Sequence, residues 1–262
     1  MRHTPGHPPH DPETTPVVVA CCRTAIGRSH PERGLFRHVR GDELAAAVVK
    51  AAVERSGVAP DSIEDVVLGA TQQRGELGGN VARTAALLAG LPFSVAGTTV
   101  NRLCGSGLQA LAQACHAIAA GAENVHVVGG VEHMHHLPMD SSVDIHPQAF
   151  ARSSRGMLSM GMTAEQLAAA HGISRRRQEA YALESHRKAA AAADAGLFAD
   201  EIAAVFGHDE EGAVVEARHD QSIRRDTSLE AMAALEPAFL PKLGTITAAT
   251  SARSGEHTSE LQ

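Results

Sequence analysis

Residues 95–120, VAGTTVNRLCGSGLQALAQACHAIAA, change from one periodicity to another within a few positions. Residues 95–100 are rich in Val and Thr and predict a strand. Two glycines then follow Cys104 and predict a tight turn, and residues 107–120 have the small and apolar side chains of a buried helix. The stretch therefore predicts a strand, a turn that contains a cysteine, and a helix that begins directly after it.

The same alternation of strand and helix continues on both sides of this stretch. Short apolar runs predict buried strands at 17–20, 66–69 and 125–128. Between them, Asp42 predicts the cap of a helix that ends at Gly57, and residues 80–88 predict a second helix. Strands that alternate with helices over about 115 residues predict an α/β layer around a buried, partly parallel sheet.

The region after residue 138 has a different character. Residues 139–160 show little periodicity and predict a long loop. The sequence TAEQ at 163–166 has the capping-box spacing and predicts the start of a helix that ends at Gly172. Further predictions are a helix over 175–195 that is capped by Ser174 and closed by Gly196, a polar hairpin within 201–218, an apolar segment at 229–235, and a last strand at 244–248.

The two ends of the chain differ from the rest. Residues 1–15 are rich in Pro, His and Thr and predict a disordered leader without the apolar core of a secretory signal. Residues 253–262, RSGEHTSELQ, have no apolar periodicity and resemble the translation of a sequencing-library adapter. We interpret this segment as a non-native tail, with a natural disordered terminus as the alternative.

Composition excludes several classes of protein. The chain has 262 residues, 44% of them hydrophobic, and a formal net charge of −7. No run approaches the roughly 18–20 apolar residues of a membrane helix, and the negative charge argues against a nucleic-acid or anionic-membrane partner. Four cysteines are too few for a disulfide framework in so long a chain, which favours a reduced, cytoplasmic setting.

Cys104 is the candidate nucleophile. A thiol beside the first turn of a helix meets N–H groups and the positive end of the helix dipole, and both favour the reactive thiolate. Gly105 and Gly107 leave room for a substrate carbonyl, and the Cys104 N–H is a candidate oxyanion donor. The alternative is that Cys104 is a small buried residue with no chemical role.

The remaining cysteines have structural interpretations. Cys115 shares a helical stripe with Leu108 and Leu111 and is predicted to lie in the core. Cys21 and Cys22 are poorly placed to bridge each other and too few for a metal site. The helix over 107–120 is apolar or small almost all round, so it needs a second covering layer beyond the predicted sheet.

Seven segments together identify a family resemblance. They are RTAIG at 23–27, NVAR at 80–83, VNRLCGSGLQAL at 100–111, GGVEHMHHLPM at 129–139, MGMTAE at 160–165, ISRRRQEAYALESH at 173–186 and EPAF at 236–239. The chain resembles the thiolase family, in particular the bacterial 3-ketoacyl-CoA thiolases of fatty-acid β-oxidation. The resemblance implies the first half of a five-layered αβαβα fold over 16–138, an inserted, mostly helical loop domain over 139–243, and a final strand of that half over 244–252.

The resemblance also implies roles for particular residues. Cys104 matches the nucleophile that attacks the 3-keto carbon and becomes acylated, after which CoA takes the acyl group. The implied CoA contacts are Met160 over the pantetheine arm, Arg224 near the nucleotide, and apolar contacts from Ala238, Phe239 and Ala248. CoA is then a co-substrate, with no permanently bound cofactor. Family members are dimers or tetramers, and β-oxidation members often join a multifunctional subunit.

Part of the family's machinery finds no match in these 262 residues. The unmatched parts are an Asn-Glu-Ala-Phe segment, a Gly-His-Pro histidine and a second cysteine in a Cys-x-Gly turn. Proton transfer and oxyanion donors each contribute roughly 10²–10⁴-fold to a rate. We therefore expect this chain to be a truncated fragment that is inactive alone.

Two other function classes stay open. A β-ketoacyl synthase-type condensing enzyme shares the fold and the cysteine, and its preference for carrier-protein thioesters distinguishes it. A non-catalytic acyl-CoA-binding module binds the thioester without acylation of Cys104, which an intact mass measurement distinguishes.

Two charged or metal-ligating clusters have alternative interpretations. His133, His135 and His136 are typical metal-binding side chains, but no Cys, Asp or Glu joins them at the usual ligand spacing, so we predict no metal.

Arg175, Arg176 and Arg177 fall in the first turn of a helix, where cations are unfavourable. They predict a solvated face, with contact to a partner or a CoA phosphate as the alternative.

Overall fold

A computed structural model describes residues 15–138, 144–152 and 159–251. The chain forms two compact units. The first, here called the sheet unit, takes its described residues from 1–24 and 39–133, and the second, the helical unit, takes them from 25–38 and 134–262. The domain boundaries predicted from the sequence, 16–138, 139–243 and 244–252, stay predictions.

The sheet unit is built on three parallel strands. These are β1 (Asp65–Gly69), β2 (Ala96–Val100) and β3 (His126–Gly130), in the order β2-β1-β3. Gly69 at the end of β1 lies opposite Val100 on one side and Gly130 on the other. Val66, Val67 and Leu68 are buried, so the central strand is covered on both faces. A buried parallel sheet confirms the predicted α/β class.

Three helices pack on this sheet. They are α1 (Gly41–Ser56), α2 (Val81–Leu88) and α3 (Ser106–Ala119). Helices α1 and α2 pack on each other, α2 also packs on β2, and α3 packs across β1 and β3. Helix α1 ends at Gly57 with a φ of 67°, a left-handed conformation that suits glycine, as predicted.

The predicted cap of α1 is wrong. The cap position is Arg40, and Asp42 lies in the first turn, where its Oδ2 is 2.6 Å from the Arg40 Nη2. The Gly41 N–H donates to Glu76 Oε1 over 2.7 Å. A carboxylate distant in sequence therefore satisfies this end of the helix, and local sequence rules do not detect it.

The predicted strand at 17–20 is also absent from the described residues 15–24. Val17, Val18 and Val19 are 75%, 74% and 66% exposed. Thr15 to Ala20 line a cavity together with β3 and α3, so the segment lies beside the sheet without the ladder of hydrogen bonds that defines a strand. β-Branched residues favour a strand, but pairing and cover decide whether one forms.

The helical unit contains four helices and a hairpin among its described residues. The helices are α4 (Met160–Ala170), α5 (Arg175–Asp194), α6 (Leu229–Ala233) and α7 (Ala248–Ser251). Strands β4 (Val205–His208) and β5 (Val214–Ala217) form the predicted hairpin. Helix α5 is capped by Ser174, whose side chain accepts the N–H of Arg177, and is followed by Gly196 with a φ of 71°, as predicted.

Two predictions for this unit are wrong. Helix α4 begins earlier than the capping-box spacing indicates, because Ser159 is the cap and accepts the N–H of Met162. Thr163 lies inside the first turn, where its hydroxyl donates to the Ser159 carbonyl. The strand predicted at 244–248 is reduced to one bridge between Pro237 and Thr247, after which the chain turns into α7.

Several predictions fall on residues that the structure does not describe. They concern residues 1–14 of the leader, 139–143 and 153–158 of the long loop, and the tail from 252 onward. The described part of that loop contains a short 3₁₀ helix, Pro147–Ala151. Within the described residues, no helix has both the length and the apolarity needed to cross a bilayer.

Candidate active site

Cys104 lies in a strained turn at the carboxyl end of β2. The strand ends at Val100 and α3 begins at Ser106, with Gly105 as its cap. Leu103, directly before the cysteine, has a φ of 49°, in the left-handed region that non-glycine residues rarely adopt. Cys104 is exposed. A sharp strand-to-helix turn that presents a thiol to solvent is the geometry of a nucleophile elbow.

Hydrogen bonds hold this turn on both sides of the strained residue. The Leu103 N–H donates to Asn101 Oδ1 over 2.9 Å. The Ser106 hydroxyl donates to the Leu103 carbonyl over 2.6 Å and accepts the Arg102 N–H over 2.8 Å. Ser106 is buried at 5% exposure. This serine was not predicted from the sequence, although its position two residues after the cysteine at a predicted helix start is the available signal.

A second network joins the ends of the three strands beside the turn. Asn101 Nδ2 donates to the Thr71 carbonyl over 3.1 Å. The Thr71 N–H donates to Glu132 Oε2 over 2.9 Å, its hydroxyl donates to the same oxygen, and the Gln72 N–H donates to Oε1 over 3.3 Å. Sites in α/β sheets lie at the carboxyl ends of the strands. Glu132 was also not predicted from the sequence, and its place two residues after the Gly-Gly that closes β3 is the available signal.

Glycine at the end of β1 lets α3 approach the sheet closely. A Cβ at Gly69 would lie 2.6 Å from the Gly107 nitrogen, so no side chain fits there. At Gly107 a Cβ would meet the Gly129 carbonyl at an ordinary 3.7 Å. The first turn of α3, and with it Cys104, is thereby seated directly on the edge of the sheet.

Among the residues that the structure describes, only one face of α3 is covered. Ser106, Ala110 and Ala114 are buried, whereas Leu108 is 73% exposed. This exposure agrees with the expectation that the helix needs a second covering layer. The prediction that Cys115 lies in the core is wrong, because Cys115 is only half-buried. Its stripe includes Leu108 and so lies partly on the uncovered side.

The two N-terminal cysteines differ in exposure. Cys21 is exposed, and the half-buried Cys22 thiol donates to the Val48 carbonyl over 3.6 Å. Burial raises the pKa of Cys22, against an opposing effect of Arg55. Burial therefore keeps Cys22 a thiol rather than a thiolate.

The helical unit brings together four of the five residues predicted to contact CoA. The Ala238 N–H donates to the carbonyl of Ile246 over 2.9 Å. Ile246 precedes Ala248 by two residues, so this hydrogen bond brings the segments of Ala238 and Ala248 together. Phe239 packs its ring on Gly161 so closely that a Cβ at that glycine would overlap it. Met160 precedes this glycine at the start of α4 and is exposed. The cluster thus combines one exposed methionine with apolar groups from three segments.

Glu165 fixes the segment that carries this cluster. Its carboxylate accepts the Thr245 N–H over 2.9 Å, the Thr245 hydroxyl over 3.0 Å and the Ile246 N–H over 2.9 Å. Gln178 Nε2 also donates to Thr245 Oγ1 over 3.0 Å. Glu165 is buried at 8% exposure, and both of its carboxylate oxygens accept hydrogen bonds from this segment. The capping-box spacing of Thr163 and Gln166 does not predict this role of Glu165.

Arg224, the fifth predicted CoA contact, lies beside α5. Its N–H donates to His186 Nδ1 over 3.3 Å. Burial, followed by the charge of Arg224, lowers the pKa of His186 and so favours the neutral imidazole. The Arg224 side chain is exposed, as a contact to a charged ligand requires.

Arg175 corrects the interpretation of the arginine run. Its Nε lies 2.7 Å from Glu179 Oε1, and its Nη2 donates to the carbonyls at the end of α6, those of Met232, Ala233 and Leu235. A solvated face is therefore wrong for Arg175, which joins two helices. Arg176 and Arg177 are exposed, as that interpretation expects.

The three histidines differ in burial and in the contacts of their rings. His133 is buried in the sheet unit. In the helical unit, His136 Nε2 lies 2.9 Å from the Arg37 carbonyl oxygen, and the rings of His135 and His136 are 5.4 Å apart. The expectation that these residues hold no metal stays a prediction.

Comparison with known proteins places these features in a family. A family profile described as "Thiolase, N-terminal domain" matches residues 16–254. The chain is 48% identical over 246 residues to a 3-ketoacyl-CoA thiolase of Aliivibrio fischeri and 46% identical to one of Shewanella loihica. Each alignment covers 94% of this chain and 63% of the relative, so the chain spans less than two thirds of the length of the curated relatives it matches.

Proposed function

This chain belongs to the thiolase family, and from that premise we propose that the full-length protein is an acyltransferase that cleaves 3-ketoacyl-CoA to acetyl-CoA and a shortened acyl-CoA. The named relatives, 3-ketoacyl-CoA thiolases, support this reaction. The observation that supports it most directly is the exposed Cys104 in a strained turn at the start of α3.

The proposed chemistry has two half-reactions. The Cys104 thiolate attacks the C3 carbonyl carbon, and the C2–C3 bond then breaks with its electron pair on C2. Protonation of C2 gives acetyl-CoA and leaves the shortened acyl group as a thioester on Sγ. The thiolate of a second CoA attacks this thioester, forms acyl-CoA and releases Cys104. One CoA thiol is consumed, and no oxidant or reductant is required.

The surroundings of Cys104 favour the first step. Cys104 lies two residues before α3 begins, and the N–H groups and positive dipole end at the start of a helix favour an anionic nucleophile there. The buried Ser106 and the network around Asn101 hold the turn in one conformation, so little reorganisation is needed when the thiolate attacks.

CoA is the proposed co-substrate, without a permanently bound cofactor. Met160, Ala238, Phe239 and Ala248 form one apolar cluster, which suits the pantetheine arm. The exposed Arg224 suits a nucleotide phosphate. We also propose a cytoplasmic setting and a homo-oligomer that joins a multifunctional β-oxidation subunit, which rest on the resemblance and the low cysteine content.

Acylation of Cys104 tests the proposal. The full-length protein is incubated with a 3-ketoacyl-CoA in the absence of CoA and its intact mass is measured. We expect one acyl adduct that disappears when CoA is added, and turnover reduced about 10³-fold or more in Cys104→Ala. Cys115→Ala, a half-buried cysteine on the same helix, serves as the control and is expected to keep the adduct.

Two results contradict the proposal. An adduct that persists in Cys104→Ala assigns the nucleophile to another residue. Acyl-CoA binding without any adduct in the wild-type protein indicates a non-catalytic binding module.

A further inference from the structure

Gln221 fixes two loops of the helical unit against each other. Its side-chain oxygen accepts the Arg28 N–H over 2.9 Å and the Leu35 N–H over 3.0 Å. Its side-chain nitrogen donates to the Arg33 carbonyl over 2.6 Å, and its own N–H donates to the Ile26 carbonyl over 2.9 Å. Four hydrogen bonds from one residue therefore fix the backbone of 26–35 beside that of Gln221.

The neighbouring Asp220 and His186 extend this framework. Asp220 Oδ1 accepts the Ile26 N–H over 2.8 Å. Three residues after Gln221, the Arg224 N–H donates to His186 Nδ1 on α5. Because Nδ1 accepts a hydrogen bond, the neutral imidazole has its proton on Nε2. The backbones of Arg28 and Arg224 are thus held in place without any contribution from their side chains.

This framework places like charges close together. Burial and then the charges of Arg224 and Arg33 lower the pKa of Arg28, while Glu210 acts in the opposite direction. Within the described residues, Arg28, Arg33 and Arg224 make no ion pair with a carboxylate. In contrast, the adjacent Arg225 is paired with Asp194 at 2.8 Å.

Guanidinium groups that lie close together in a fixed framework without a carboxylate ion pair are suited to an anion. Repulsion between them costs free energy in the unliganded protein, and a bound anion with two charges removes that cost. The planar guanidinium donates two parallel hydrogen bonds to phosphate oxygens, and the fixed backbones reduce the entropy lost on binding. Half-burial of Arg28 strengthens its interaction with such a ligand, because the surrounding water is partly excluded.

We propose that Arg28 and Arg224 together bind a phosphate group at the nucleotide end of CoA, with Arg33 adding to the positive field. This assignment rests on the proposed function, and its new element is Arg28 as the second arginine of the site. The adenosine 3′-phosphate and the diphosphate bridge of CoA share the required chemistry, and the choice of ligand in the experiment separates them.

The test is isothermal titration of the full-length protein with CoA and with dephospho-CoA at one fixed ionic strength. We expect Arg28→Gln to weaken CoA binding about tenfold, the loss of one charge-assisted contact, and Arg28→Lys to weaken it less. Arg225→Gln is the matched control, because Arg225 is exposed and already paired with Asp194. The affinity of this variant for CoA is expected to stay within about twofold of the wild type. A loss seen with CoA but not with dephospho-CoA assigns the 3′-phosphate, and an equal loss with both assigns the diphosphate.

Unchanged CoA affinity in a folded Arg28→Gln protein overturns the proposal. Folding is checked by thermal denaturation, and it is expected to persist because Gln221 bonds the backbone of Arg28 and not its side chain. Acylation of Cys104, measured separately, distinguishes failure of the phosphate site from failure of the proposed reaction. If the wild-type protein is acylated at Cys104 but Arg28→Gln leaves the affinity for CoA unchanged, the phosphate site is wrong and the proposed reaction stands. If Arg28→Gln weakens CoA binding but the wild-type protein is not acylated, the proposed reaction is wrong and the phosphate site stands.

Discussion

Leu103 adopts a left-handed backbone conformation with a φ of 49°, and its side chain is exposed. Such a conformation costs on the order of 1–3 kcal/mol and persists only when surrounding interactions enforce it. Apolar packing does not supply these interactions here. The Asn101 amide oxygen, which accepts the Leu103 N–H, and the Ser106 hydroxyl, which donates to its carbonyl, hold the residue from both sides. At this scale, a buried hydroxyl positions the thiol.

Replacement of Ser106 by alanine tests this account. The change removes the two hydrogen bonds of the buried Ser106 hydroxyl, so we expect a loss of about 1–3 kcal/mol in the free energy of unfolding. We also expect slower alkylation of Cys104, because the turn is less well fixed. Urea denaturation and the rate of iodoacetamide labelling measure these effects. Ser185→Ala, an exposed serine on α5, is the control and should change stability by less than about 0.5 kcal/mol.

Glu64 makes the stability of the sheet unit depend on pH. Its carboxylate accepts the N–H groups of Asn124 and Val125, and these hydrogen bonds hold the pKa of Glu64 below its usual value of 4.5. A carboxyl group whose pKa is lower in the folded state stabilises the fold above its unfolded pKa. That contribution is lost as the pH falls through the folded pKa.

We therefore expect Glu64→Gln to lower the free energy of unfolding at neutral pH. The difference from the wild type should shrink as the pH falls below 4.5, the usual pKa of the group. Urea denaturation over a pH series measures it. Glu54→Gln, which affects only an exposed pair with Lys50 at 3.9 Å, is the control. A difference that is the same at every pH shows that the charge of Glu64 is not involved.

At the scale of elements, the position of α3 depends on the absence of a side chain at the end of β1. Gly69 lies directly under the first turn of the helix, and the backbone atoms it faces have no freedom to move independently of that turn. The parallel order of the strands brings the ends of β1, β2 and β3 to one edge, where the Glu132 network joins them. Helix, strand ends and thiol therefore form one rigid arrangement.

Gly69→Ala is expected to displace the first turn of α3. Its Cβ would lie 2.6 Å from the Gly107 nitrogen, so we expect a stability loss of about 1–3 kcal/mol and reduced acylation of Cys104. Thermal denaturation and the intact-mass assay measure the two effects. Gly129→Ala on β3 is the matched control, since its Cβ would meet Leu68 at an ordinary 3.5 Å. Equal behaviour of the two variants contradicts the role of Gly69.

At the scale of the whole molecule, one face of α3 stays exposed to solvent among the described residues. Leu108 is 73% exposed on the same helix that has Cys104 at its start. The relatives are longer than this chain, which covers 63% of their length. We therefore expect the part of the full-length protein that is absent from this chain to cover this face.

Leu108→Asp distinguishes a covered face from an exposed one. In the full-length protein we expect a loss of about 1.5–3 kcal/mol or more in the free energy of unfolding, the value of a buried leucine. In the 262-residue chain alone we expect a change of less than about 0.5 kcal/mol, because the side chain is exposed. Denaturant unfolding of both proteins provides the comparison. A small effect in both indicates that the face stays open.

The sequence by itself determined the features that depend on local order along the chain. The alternation of apolar strands and helices predicted the parallel α/β sheet, and the residues around Cys104 predicted a strand–turn–helix junction. Glycines 57 and 196 ended their helices as expected, because a left-handed terminus is a property of a single residue. The family resemblance likewise followed from contiguous segments.

Tertiary structure alone decided which polar groups meet across long distances in sequence. Glu76 at the start of α1, Glu165 on Thr245 and Arg175 on the end of α6 each join segments far apart in the chain. It also left residues 17–20 without strand pairing despite their apolar character, since a strand forms only where another backbone offers its hydrogen bonds. A buried carboxylate or guanidinium must find donors or acceptors somewhere, and only the folded chain determines where they lie.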